Sequence, residues 1–188
     1  VDPAGLPTIL FLHGRGETGE DGVKQTAIGL GHAVRMDPAR WPFLIVMPQK
    51  TGIDVLWASY RDPLNRVLAD VDAEFQPDAD RRYITGLSQG GRGTWDLARA
   101  LDWKFAAAAP VCGWTEPKEA AERLAGLPLW AFHGEEDTVV DYRSSFEAVE
   151  LLQAQNNPAK YSLYPGVGHN SWDKAYMQED LSTWFLNH

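Results

Sequence analysis

The residues Tyr83-Ile84-Thr85-Gly86-Leu87-Ser88-Gln89-Gly90-Gly91 leave this chain few choices of fold. Tyr83 to Thr85 read as the end of a buried strand. Thr94, Leu97, Ala98 and Leu101 recur at helical spacing just beyond, so strand must turn into helix within a few residues. Ser88 sits at the tip of that turn. So tight a turn strains its central residue, and is tolerated only if the positions two residues away on each side carry no side chain to collide with it. Gly86 and Gly90 meet that need. The Ser88 hydroxyl then projects beyond the sheet edge, and the N–H of Gln89, opening the helix, points into the same space.

Gly86-Leu87-Ser88-Gln89-Gly90 resembles the nucleophile elbow of serine esterases of the α/β-hydrolase superfamily. Two glycines flanking a serine recur in many loops, so the weight rests on the strand before and the helix after. The resemblance implies that Ser88 is a nucleophile and that the Gln89 N–H is one oxyanion donor. The competing reading is a Gly-rich turn with an inert serine.

The rest of the chain alternates strands and helices in the way such a fold requires. Thr8 to Leu12 is an unbroken apolar run, suited to a strand covered on both faces. His13-Gly14-Arg15-Gly16-Glu17-Thr18-Gly19 follows. Gly14, Gly16 and Gly19 match the dinucleotide-binding glycine pattern, but the next strand, Phe43 to Met47, ends in Pro48-Gln49-Lys50 without the acid that would hold a ribose. In the superfamily a similar His-Gly loop supplies the second oxyanion donor; by position that is the N–H of Arg15, with Gly16 the neighbouring possibility. The Arg15 guanidinium is expected in solvent or paired with Glu17 or Glu20.

Lys24 to Met36 predicts a helix interrupted by Gly29 and Gly31 and ended by Asp37-Pro38. Leu64, Val67, Leu68, Val71 and Phe75 predict another with one buried face. Ala106 to Val111, Leu129 to Phe132 and Lys160 to Tyr164 predict strands, with helices over Glu119 to Leu124 and Ser145 to Leu152. Trp114 follows the Ala106 strand at the edge where ligands bind in open α/β sheets.

A serine nucleophile needs a base and an acid that orients the base. His133-Gly134-Glu135-Glu136-Asp137-Thr138-Val139-Val140 resembles the superfamily's Gly-x-x-Asp-x-Val-Val loop, which selects Asp137; Glu135 or Glu136 would serve only in a shifted turn. Of five histidines, His13 and His133 precede glycines at strand ends and read as structural, His32 lies in the Lys24 helix and His188 is terminal. His169, on the Gly-rich loop after the last strand, is the one placed as a general base. The order Ser88, Asp137, His169 agrees with the superfamily's.

The resemblance runs from Thr8 to Phe185, and His169-Asn170-Ser171-Trp172-Asp173 with Tyr176 and Trp184 is similar to the small carboxylesterase, dienelactone-hydrolase and polyhydroxybutyrate-depolymerase-like branch. It implies an α/β/α three-layer sandwich of the α/β-hydrolase fold. The two antiparallel strands that usually precede the first long strand are missing, so the sheet should be mainly parallel with about six strands. Cys112 to Pro128 leaves no room for a lid domain. The chain begins at Val1 without an initiating Met and reaches its first strand by Thr8; the expectation is one catalytic domain, residues 1–188, excised or processed from a longer chain.

Composition bounds the partners. A net charge of −9, from 17 basic and 26 acidic residues, disfavours binding to a phosphate backbone, so nucleic acid is not expected. No apolar run approaches the roughly 20 residues that cross a bilayer, so no membrane insertion is expected. The single Cys112 rules out an internal disulfide framework without fixing the compartment; secretion is favoured slightly over the cytoplasm, and the oligomeric state is left open. No metal or organic cofactor is implied. The expected activity is hydrolysis of short-acyl esters through an acyl-enzyme, rising through roughly pH 6 to 8 as a histidine base loses its proton. Trp57, Trp114 and Trp172 are candidate pocket walls, beside Gly16. The alternatives are a feruloyl or acetylxylan esterase, an amide or thioester hydrolase with the same residues, and a silent binding scaffold.

Overall fold

A computed structural model of the chain describes residues 3–188. In chain order its regular elements are β1 (Thr8–Leu12), α1 (Leu30–Met36), β2 (Leu44–Val46), α2 (Arg61–Phe75), β3 (Arg82–Leu87), α3 (Gln89–Leu97), β4 (Ala107–Val111), α4 (Pro117–Arg123), β5 (Trp130–Gly134), α5 (Arg143–Ala154), β6 (Lys160–Tyr164), α6 (Trp172–Met177) and α7 (Leu181–Leu186). The strands form one sheet of order β2-β1-β3-β4-β5-β6 in which every neighbouring pair is parallel.

The alternation of side chains along each strand divides the core in two. Leu10 and Leu12 of β1, Ile84 of β3 and Ala108 of β4 face one side, under Leu64 and Leu68 of α2, Trp95 of α3 and Leu152 of α5. Ile9, Phe11, Tyr83, Ala107 and Ala109 face the other, where Leu30, Tyr176 and Phe185 bring up α1, α6 and α7. Both faces of the sheet are covered, which is why β1 is apolar at every position after Thr8. This is the α/β/α arrangement of the α/β-hydrolase fold, with the six strands expected.

Most boundaries shift by one or two residues from those the sequence suggests, and two of the differences have a physical reason. The Lys24 to Met36 segment is two pieces, a 3₁₀ turn at Lys24–Thr26 and α1 from Leu30. A Cβ on Gly31 would stand 2.2 Å from the Thr26 carbonyl oxygen, so the chain folds tightly against itself where a continuous helix would have run on. The helix expected at Glu119 starts two residues earlier, at Pro117, whose fixed φ suits a first helical position. Helix α3 ends at Leu97, short of Leu101, although both residues are buried.

Because β2 and β3 flank β1 on opposite sides, the chain reverses its direction of winding at β1, and a crevice opens beyond the C-terminal ends of β1 and β3. Leu12 leads there into His13, Leu87 into Ser88, and β5 and β6 send their following loops to the same edge.

Candidate active site

Ser88 sits between β3 and α3 with φ 54° and ψ −116°, outside the regions open to ordinary L-residues. The position is held on both sides: its N–H donates to Val111 O (3.0 Å) and its carbonyl accepts from Arg92 N (3.0 Å). Gly90 is required for a reason the local sequence does not reveal. A Cβ there would meet Leu12 O at 1.8 Å, so it is the end of β1, and not the serine, that forbids a side chain.

His169 reaches this turn from the loop after β6. Its Nε2 lies 2.9 Å from Ser88 Oγ and its Nδ1 2.7 Å from Asp137 Oδ2. The Asp137 side chain is fully buried, and its other oxygen, Oδ1, accepts the N–H groups of Val139 and Val140, both at 2.9 Å. Burial by itself would raise the Asp137 pKa. The hydrogen bonds from His169, Val140 and Val139 outweigh it and hold the carboxyl below its ordinary value. An ionised Asp137 accepts, so His169 carries its proton on Nδ1 and turns the Nε2 lone pair toward the serine. The loops after β5 and β6 are fastened together by Glu135 N to Tyr164 O (3.0 Å) and Glu136 N to Val167 O (2.9 Å); Glu135 and Glu136 themselves are exposed.

Arg15 and Gln89, whose backbone amides are the expected oxyanion donors, both line the cleft beside Ser88. Gln89 is the first residue of α3, where an N–H has no carbonyl one turn back to bond. Arg15 N belongs to the peptide whose carbonyl, Gly14 O, accepts from His13 Nδ1 at 2.6 Å. The donor is Nδ1 because Nε2 is taken by the N–H of Lys50 at 3.1 Å. C=O and N–H of a trans peptide point in opposite directions, so pinning Gly14 O also aims Arg15 N–H. The Arg15 guanidinium pairs with Asp54 (2.8 Å), 39 residues away, and not with Glu17 or Glu20.

Trp114, Trp172, Gly16, Ser88, Gln89 and His169 all line one cleft of about 980 Å³, with Ile28, Leu87, Val139 and Pro117 supplying further apolar wall. Trp172 stands edge-on to His169, ring centres 5.6 Å apart. Trp57 does not belong to this wall. It is 1% exposed, and its Nε1 donates to His13 O (2.9 Å), so it braces the loop from beneath. A tryptophan in a loop carries no sign of which way it points; here the 3₁₀ turn Trp57–Tyr60 packs on α3 beside Gly93, which turns the ring inward. The aliphatic lining residues carried no signal in the sequence either.

His13 is fully buried, and desolvation holds its pKa down at about 4. Between pH 6.5 and 4 the unfolded chain binds a proton there that the folded chain refuses, so stability rises with pH across that window. The expected loss on acidification is up to about 3 kcal/mol, with a further loss as Asp137 is protonated at lower pH. Urea unfolding at pH 7, 5.5 and 4.5 reads this loss together with that of His133, equally buried and likewise held down by desolvation; a midpoint independent of pH would mean that His13 is not a buried neutral ring.

Residues 64–184 match the phospholipase/carboxylesterase family. The chain belongs to that family. A protein of Debaryomyces hansenii named acyl-protein thioesterase 1 is 27% identical to this family member over 99 residues, 50% of this chain and 43% of that protein. An uncharacterized secreted protein of Arthroderma benhamiae is 30% identical over 128 residues, 52% of this chain and 13% of that one. The solved structure of a thermostable esterase superposes with a TM-score of 0.86 at 27% identity, over 100% of this chain and 56% of that one. The family member thus spans less than half of these two curated relatives and about half of the esterase. Among its described residues no helix is long and apolar enough to cross a membrane, and no group of three or more His, Cys, Asp or Glu is arranged to hold a metal ion.

Proposed function

We propose that this chain is a serine esterase that hydrolyses short-acyl carboxylic esters through an acyl-enzyme on Ser88. The observation that carries the reading is the continuous relay from Asp137 through His169 to Ser88, at 2.7 and 2.9 Å, in a cleft that Arg15 and Gln89 also line. His169 Nε2 takes the proton of Ser88 as Oγ attacks the ester carbonyl carbon. The carbonyl oxygen becomes an oxyanion held by the N–H groups of Arg15 and Gln89. The imidazolium gives its proton to the leaving alcohol, and the acyl group stays on Oγ. Water then attacks with His169 again as base, the acid leaves, and Ser88 regains its proton. Asp137 stays ionised throughout and stabilises the imidazolium.

The preference for short acyl groups rests on the cleft's rim. Arg15, Glu17, Glu116, Asp141, Arg143 and Glu147 line it, so a long alkyl chain would lie against charges it cannot solvate. With p-nitrophenyl acetate, butyrate and octanoate, kcat/KM is expected to fall from butyrate to octanoate. A preference for octanoate would overturn the short-acyl reading. The similarity to a protein named acyl-protein thioesterase 1 favours thioesters as a second reading. Matched acetyl ester, thioester and anilide substrates distinguish the two, and the ester is expected to be cleaved with the highest kcat/KM.

A further inference from the structure

Asp137 Oδ2 meets two histidines. His169 Nδ1 lies 2.7 Å away, and on the other side His133 Nε2, from β5, lies 3.2 Å away. His133 is fully buried. Its Nε2 donates to Val140 O at 3.1 Å with Asp137 Oδ2 beside that bond, so this nitrogen faces two acceptors and must carry a proton. Its Nδ1 lies 3.1 Å from Ser145 Oγ. Ser145 is in turn held by Tyr142 O (2.9 Å) and Tyr161 Oη (3.0 Å), which ties the ring to α5 and β6. Burial lowers the pKa of His133 against the opposing pull of Val140 and Asp137, consistent with a neutral ring whose one proton is on Nε2.

We infer that His133 is a positioning residue of the site: its Nε2–H shares Asp137 Oδ2 with His169, fixing the carboxylate's orientation and limiting how strongly it holds the imidazolium. The consequence for turnover rests on the esterase reading above. The effect on His169 itself does not. A carboxylate oxygen that loses one of its two N–H neighbours concentrates more negative charge on the remaining one. His169 then holds its proton to higher pH, and the free base needed to activate Ser88 becomes scarcer at neutral pH. The Oδ1 oxygen, occupied by Val139 and Val140, cannot take over the lost contact.

The other groups around the pair are Ser88 from the elbow, Trp172 from α6, Cys112 at the end of β4, Asp141 and Tyr142 before α5, and Tyr161 from β6. Burial pushes the Cys112 thiol up to about 12 and the Tyr161 phenol higher still, so neither changes charge where a histidine does. Glu17, Glu116, Arg143 and Glu147 at the cleft are the same in every variant below and cancel in the comparison.

The test pairs His133→Asn with His133→Gln. Both keep a polar amide in the cavity. Only glutamine is long enough to return an N–H to the place of Nε2; asparagine reaches the Ser145 side and stops short of Asp137. The titration of His169 is read by NMR of ring-labelled histidine in the substrate-free protein. The acid limb of kcat/KM for p-nitrophenyl acetate is measured in parallel, and urea unfolding verifies folding. In His133→Asn, the His169 titration is expected to move to higher pH than in the wild type, with kcat at pH 7 down about tenfold. His133→Gln is expected to recover most of both. A folded His133→Asn protein in which His169 titrates as in the wild type overturns the inference, whatever its activity. A shift in titration alongside a wild type inert to esters sustains it and removes the esterase reading instead.

Discussion

Replacing Ser88 by alanine is expected to lower kcat/KM for p-nitrophenyl butyrate by about four orders of magnitude or more, with the urea midpoint nearly unchanged. The residual rate would come from the two amides and the cleft, which the substitution leaves in place. Fluorophosphonate labelling of the wild type should map to Ser88 and vanish in the variant. Ser88→Gly separates the side chain from the backbone. It removes the same hydroxyl, but at φ 54° and ψ −116° glycine relieves a strain that alanine retains. The glycine variant should therefore be as inactive as the alanine one and more stable by about 1 kcal/mol. Equal stability of the two would mean that the elbow stores no backbone strain. Activity surviving in both would show that Ser88 is not the nucleophile; no turnover and no adduct in the wild type would instead let the binding-scaffold reading lead.

How far the sequence reaches depends on how local the deciding physics is. Strands β1 and β6 occupy the residues their patterns mark, Thr8–Leu12 and Lys160–Tyr164, because an apolar or alternating run bounded by turn residues carries its own limits. Ser88, Asp137 and His169 stand out for a related reason: each lies in a loop just after a strand, and parallel strands deliver such loops to one edge. What is not legible depends on partners far along the chain. Arg15 finds Asp54, 39 residues on, instead of the acids beside it. Trp57 turns under His13 because α3 leaves a gap at Gly93. Gly90 looks like a concession to the serine, yet the collision it avoids is with Leu12.

The histidines show the same division. His13 and His133 read as structural from their places before glycines, and both are indeed fully buried. Yet burial does not separate them from the site. His13 pins the peptide that carries Arg15 N–H, and His133 lies against the carboxylate that orients His169. For His133 a faint signal exists: it precedes Asp137 by four residues across a turn, a spacing that brings the ring back over the acid.

Asp137→Asn should be almost as damaging as loss of the serine, because the surrounding donors dictate how an amide would sit. The position of Oδ1 faces two N–H groups, from Val139 and Val140. The amide oxygen must occupy it, since an NH₂ there would oppose two donors. The NH₂ is then forced into the place of Oδ2, 2.7 Å from His169 Nδ1 and 3.2 Å from His133 Nε2. An N–H pointing at Nδ1 requires a lone pair there, so the His169 proton moves to Nε2, the atom that should accept from Ser88. The base is then present, well placed and in the wrong tautomer. A fall in kcat/KM of about 10⁴ at neutral pH is expected, with the tautomer change visible in the ¹⁵N shifts of the His169 ring. His133 should keep its tautomer in the same spectrum, because Val140 O still requires the proton on Nε2. A loss of less than tenfold would remove Asp137 from the relay and return attention to Glu135 and Glu136, both exposed in the same loop.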